Sequence, residues 1–222
     1  MPVRPRHRRS LRLQGFTLVE MMAVIIMISV MVGLAGPAMM HSIGDSRARD
    51  LSGQIINLFN TARARATGSG RAQLVRFSLA ANNGQGGLIA YEGNNSSCNA
   101  SNWAAIVAAG CGPDGFCVEQ LDPRERQMTG DKLQLSLRTT GAANSWAESD
   151  ADLCYEPTGI TYWRAGASVA GNLFMTAENN GGAGGTLRGG FRFRVQRLSG
   201  ATQLSVAREL VVPLGAGARS GQ

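Results

Sequence analysis

The sequence predicts an α+β protein in which one long N-terminal helix leads into a β-rich globular head. Three observations carry this. Residues 16–40 are almost free of charge, and residues 41–67 place apolar side chains at helical spacing. After Gly70 the pattern changes to short alternating runs separated by turn residues. Residues 71–222 leave about 150 positions for the head, enough for one hydrophobic core.

The chain opens with Arg4, Arg6, Arg8, Arg9 and Arg12 and no acid before Gly15. Gly15-Phe16-Thr17-Leu18-Val19-Glu20 follows, and from Met21 to Met40 no side chain is charged and Ser29 is the only hydroxyl. As a helix, 16–40 reaches about 37 Å at ~1.5 Å per residue, against roughly 30 Å of bilayer hydrocarbon. A carboxylate at the head of such a segment is costly, which makes Glu20 a candidate functional residue. The preceding arginines place the N-terminus in the cytoplasm and Gln54 onward outside. An ordinary secretory signal, cut near Ala35-Gly36-Pro37-Ala38, is the competing reading. Pro37, with Gly33 and Gly36 beside it, is expected to kink or locally melt the helix.

Beyond the proline, Leu51, Ile55, Leu58, Phe59, Ala62 and Ala66 recur at three- and four-residue steps and share one helical face. Arg47, Arg49, Asn57, Asn60 and Arg63 fall mostly elsewhere, and Gly68-Ser69-Gly70 ends the helix. Strands are expected over 72–79, 87–92, 116–121, 132–138, 159–164, 172–177, 191–198 and 203–212. The clearest is Phe191-Arg192-Phe193-Arg194-Val195-Gln196-Arg197-Leu198, apolar and polar in succession. Its three arginines are read as sharing one face, more readily a solvated sheet face than a ligand surface. The glycines of Asn179–Gly185 form a loop between strands and lack the strand-loop-helix setting of a phosphate-binding loop.

Charge is uneven along the chain. The precursor carries 22 basic and 15 acidic side chains, or +7. Without residues 1–15 this becomes 17 − 15 = +2. Residues 41–76 hold +4 (six Arg, two Asp), 77–160 hold −6 (four basic, ten acidic) and 161–222 hold +5 (seven Arg, two Glu). The basic precursor is therefore no evidence of nucleic-acid binding, and the C-terminal excess is only a weak pointer to it through Arg188, Arg192, Arg194 and Arg197.

Cys98, Cys111, Cys117 and Cys154 all lie in the head. An even count in an exported domain favours disulfides, with three pairings open. Cys98–Cys111 with Cys117–Cys154 is the preferred one, the first closing an Asn- and Ala-rich loop and the second tying two strands. No Cys-x-x-Cys spacing exists, and His7 and His41 precede the head, which argues against a metal and against an activated cysteine. The reading is of a protein that is not an enzyme and carries no catalytic residue, metal or cofactor.

The basic leader, the Gly15-Phe16 junction, Glu20 and the apolar run together resemble the type IV prepilin signal. That resemblance implies a leader, residues 1–15, removed by a prepilin peptidase between Gly15 and Phe16. It further implies N-methylation of Phe16, an assembly helix over 16–40, a helix half over 41–67 and an exported head over 71–222. Leu58-Phe59-Asn60-Thr61-Ala62-Arg63-Ala64-Arg65-Ala66, followed by Arg71 and a strand, is similar to the helix segment of GspH/FimT-type proteins, and Tyr155-Glu156-Pro157-Thr158-Gly159-Ile160-Thr161 to their aromatic-x-Pro-x-Gly turn. The family implies a pilin-like head of two antiparallel β-sheets, inner-membrane insertion with the head in the periplasm, and other pilin or pseudopilin subunits as partners. Its two jobs are minor pseudopilin of a type II secretion system and minor pilin of a type IV pilus, the latter with roles in DNA uptake or adhesion. DNA-binding relatives are expected to end in a Gly-Arg-x-Arg-like tail; here Gly215-Ala216-Gly217-Ala218-Arg219 has Ala216 at the key position, so DNA is not the favoured partner. Within this picture the Glu20 carboxylate would pair with the Phe16 amine of a neighbouring subunit, setting register more than adding net stability.

Overall fold

A computed structural model describes residues 16–113, 115–126, 131–139, 150–165, 175–176, 191–213 and 219–220. Two compact units divide the chain, Met1–Ser42 and Ile43–Gln222. The leader with Gly15, the loop 179–185, Arg188 and Ala216 lie outside the described residues.

In the first unit, helix α1 (Leu18–Ser69) begins directly behind Thr17. Phe16 and every large apolar side chain from Leu18 to Val32 are exposed, on all sides of the helix. Among the described residues no helix is long and apolar enough to cross a membrane. The described side chains of this half run unbroken only to Gly33; those of 34–38, 40 and 41 lie outside the description, and with them the bend expected at Pro37.

The second unit contains the rest of α1 and the head. Leu51, Ile55, Leu58, Phe59, Ala62 and Ala66 are all buried, as their spacing requires, whereas Arg49, Asn57 and Asn60 are exposed. The helix stops at Ser69 because Gly70 takes φ +70°, the left-handed conformation that closes a helix end.

The strands are β1 (Gln73–Ser78), β2 (Gly87–Glu92), β3 (Cys117–Leu121), β4 (Lys132–Thr139), β5 (Ala151–Tyr155), β6 (Thr161–Ala165), β7 (Met175–Thr176), β8 (Phe191–Ser199), β9 (Thr202–Gln203), β10 (Arg208–Val212) and β11 (Arg219–Ser220). They form two antiparallel sheets. The first has the order β3-β2-β1-β5-β6-β7 and the second β11-β10-β8-β4, with β9 beside β8. The fold is thus α+β with a two-sheet head. The inner faces of both sheets and the buried face of α1 share one core. Phe193 of β8 lies at its centre, 5.3 Å from the ring of Phe59 on α1 and 5.7 Å from that of Phe77 on β1.

The β1–β2 connection ties the two sheets together. Asn82 and Asn83 have φ 58° and 59°, so this turn is left-handed, which asparagine tolerates better than most residues. Leu135 of β4 donates its N–H to Gln85 O at 2.7 Å, so the turn caps the edge of the second sheet. A Cβ on Gly86 would stand 2.6 Å from Leu135 O, so the approach requires glycine.

The expected strand 203–212 is divided between β9 and β10, and β5 went unforeseen. Every residue of β5 is buried, Asp152 included, because the strand is central and covered on both faces, so it shows no alternation. In β8, by contrast, burial alternates along almost the whole strand. That alternation corrects the reading of its arginines. Arg192 and Arg194 point outward, but Arg197 is on the odd register with Phe191, Phe193 and Val195 and is 5% exposed.

Candidate functional site

At the start of α1 the sequence writes a helix cap. Thr17 Oγ1 accepts the Glu20 N–H at 3.2 Å, and Thr17 O accepts the N–H of Met21 at 3.2 Å. Thr17-Leu18-Val19-Glu20 is the Ser/Thr-x-x-Glu pattern of a capping box, and Glu20 sits in the first turn, where the helix dipole favours a negative charge. The Thr17 cap was legible in the sequence. Phe16 lies just ahead of the cap and is exposed. The first turn therefore presents a carboxylate at the head of a helix whose described apolar side chains are exposed.

The largest elaboration of the head is the segment between β2 and β3. It carries helix α2 (Trp103–Ala109), whose N-cap Asn102 accepts the N–H of Ala105 at 3.3 Å. Trp103 and Ile106 pack with Leu74, Tyr91 and Cys154 on the outer face of the first sheet, a small core separate from the main one. Trp103 Nε1 donates to Cys98 O at 2.7 Å, and Cys98 N donates to Glu156 Oε1 at 2.9 Å.

Disulfides are present, but not in the expected pairing: Cys98 joins Cys154 and Cys111 joins Cys117. Sheet order explains the correction. Cys117 is on β3 and Cys154 on β5, with β2 and β1 between them. Three strand spacings amount to about 14 Å, twice the ~7 Å Cα limit of a disulfide. The inner bridge pins the segment to β5 with both sulfurs fully buried, while the outer bridge closes a short loop ending at an edge strand, with Cys111 exposed.

Three sets of arginines on the sheets differ in their partners. Arg76 on β1 and Arg164 on β6 flank Asp152 on β5 in direct cross-strand register. The Arg76 Nε lies 2.9 Å and the Arg164 Nε 2.8 Å from the carboxylate, whose side chain is fully buried. Burial raises the Asp152 pKa above its ordinary value, and the guanidiniums of Arg76 and Arg164 pull against that. Of the four arginines considered for polyanion contact, Arg192 and Arg194 are on the outer face of the second sheet with Lys132 and Arg138, opposed by Glu209, or 4 − 1 = +3 among the described side chains of that face. Glu209 is shared, 3.5 Å from Arg192 and 3.7 Å from Arg138. The third set is Arg197 alone, turned inward against Asp131 and Asp45.

The Tyr155–Thr161 turn closes as its sequence suggests. Glu156 N donates to Ile160 O at 3.0 Å, Gly159 takes φ +85°, and Tyr155 is buried under α1's side of the sheet, where burial raises its pKa and Arg63 opposes the shift. Among the described residues no cluster of three or more His, Cys, Asp or Glu side chains is placed to hold a metal.

Comparison with protein-family models, curated proteins and solved structures gives no match.

Proposed function

We propose that this chain is a GspH-like minor pseudopilin of a type II secretion system, anchored in the inner membrane and built into the tip or priming complex of the pseudopilus. The observation that carries the reading is Glu20 standing alone at the head of an otherwise uncharged run, Met21 to Met40, behind a basic leader that ends in Gly15. It is supported by the uncovered apolar side chains from Leu18 to Val32, a surface far larger than a water-soluble protein leaves bare. Lipid covers such a helix before assembly and sister helices cover it afterwards. Glu20 then meets the Phe16 amine of a neighbour, so that neither charge is left alone among apolar side chains. The disulfides suit a head that folds in an oxidising compartment.

Glu20→Val tests this. The variant inserts normally, because it removes a charge from the apolar segment that this reading places in the bilayer, but fails to enter filaments or to cross-link to other pilin-type subunits. Normal incorporation would remove Glu20 from its registering role.

A second reading, FimT-like minor pilin of a type IV pilus contributing to DNA uptake, draws on the +3 excess on the outer face of the second sheet. On that reading the head retains DNA in a filter-binding assay, and retention falls steeply with salt as counterion release is suppressed. Retention unchanged by Arg192→Glu would discard it.

A further inference from the structure

The inward register of Arg197 is otherwise unaccounted for. An arginine in the apolar row of a strand is expected only where its charge is met by partners. Its side chain is 6% exposed, Nε donates to Asp131 Oδ2 at 2.8 Å, and Nη1 lies 3.6 Å from Asp45 Oδ1 on α1. The guanidinium also lies directly across Gly44 of α1. A Cβ built on Gly44 would overlap Cζ and Nη1 and stand 2.7 Å from Nε. Gly44 is interior to the helix, where glycine is the poorest choice after proline, and its φ does not call for it. The atoms met are the end of the arginine side chain, so a methyl group at 44 would have to push the guanidinium away from Asp131 and Asp45.

We propose that Gly44 and Arg197 form a notch and bolt that fixes residues 43–48 of α1 on the second sheet, with Asp45 and Asp131 as counter-ions. Arg197 is a positioning residue, and its register in β8 sets where this part of the helix sits. The consequence for assembly rests on the pseudopilin reading, since a subunit held by its helix needs its head fixed on that helix. The lock itself does not depend on that reading.

The test is a double-mutant cycle on the full chain, purified in detergent because of its exposed apolar side chains: wild type, Gly44→Ala, Arg197→Ala and the double variant. Asp45 and Asp131 keep 40% and 20% side-chain exposure, so water can solvate them once Arg197 is gone and the fold persists. Gly44→Ala lowers the melting temperature of the wild type by on the order of 5 °C, as overpacking does. In the Arg197→Ala background the same change raises it, because alanine favours the helix and nothing opposes its methyl group. Gly44→Ala/Arg197→Lys is tolerated too, since a lysine can move its single ammonium aside. Hydrogen exchange at the amides of 43–48 speeds up in either single variant while the strands stay protected. Effects of Gly44→Ala that are equal in both backgrounds would overturn the proposal, as would unchanged exchange at 43–48 in Arg197→Ala.

Discussion

Removing the two disulfides one at a time separates their contributions, and the geometry gives the order. Cys98–Cys154 spans 56 residues and Cys111–Cys117 spans 6. In the chain-entropy account, loops of these lengths restrict the unfolded state by about 4 and about 2 kcal/mol. Cys98 and Cys154 are fully buried in the small outer core, so Cys98→Ala/Cys154→Ala also leaves space behind and loses more than the loop term. Cys111→Ala/Cys117→Ala acts near solvent and loses close to its loop term alone. For a unit of this size the loop terms alone correspond to a fall in melting temperature of roughly 8–16 °C for the inner pair, to which the cavity adds, and roughly 4–8 °C for the outer. Thermal unfolding of the full chain in detergent, followed by circular dichroism, measures both, and peptide mapping without reduction checks the pairing. A small reductant should also open Cys111–Cys117 in native protein first, since Cys111 is exposed and the inner sulfurs are not. An outer-pair variant that loses as much as the inner one would refute the argument, as would a mapped Cys117–Cys154 link.

Two further outcomes follow from buried groups. The Tyr155 phenol is held above its ordinary value of 10.0 by burial, with Arg63 opposing. From pH 10 upward the unfolded chain therefore releases a proton that the folded chain keeps. The stability due to this group is complete below that pH and is lost as pH rises toward the folded value. Tyr155→Phe should flatten the alkaline limb of a stability–pH curve, and an unchanged limb would contradict the assignment. Asp152→Ala leaves Arg76 and Arg164 facing each other without their carboxylate and should cost about 3–5 kcal/mol in chemical denaturation. A loss under 1 kcal/mol, the scale of an exposed ion pair, would mean that the cluster does not hold β1, β5 and β6 together.

Where a side chain has one wet face and one dry face, the sequence was readable. The buried stripe of α1 from Leu51 to Ala66, its stop at Gly70 and the alternation of β8 all follow from that contrast. Where both faces are dry the contrast disappears. β5 therefore carried no signal, and its Asp152 and Cys154 lie on a covered outer face that alternation alone does not reveal. The cysteine pairing was out of reach for a related reason: it depends on strand order, and β5 inserts beside β1 after a long excursion. The Arg197 misreading was of another kind, since period-two counting alone assigns it to the inner face. At the helix start, Thr17 three residues before Glu20 marked an N-cap that the cost of a carboxylate in a membrane had overshadowed.

The central claim is that residues 1–15 are a leader and that the working subunit begins at Phe16. Intact mass and N-terminal sequencing of the protein extracted from the membranes of cells that make it test this directly. The expected chain starts at Phe16, lacks residues 1–15 and carries a methyl group on its amine. A mature N-terminus at Ala38 or later, or a chain that keeps Met1 through its leader in the membrane, would contradict it.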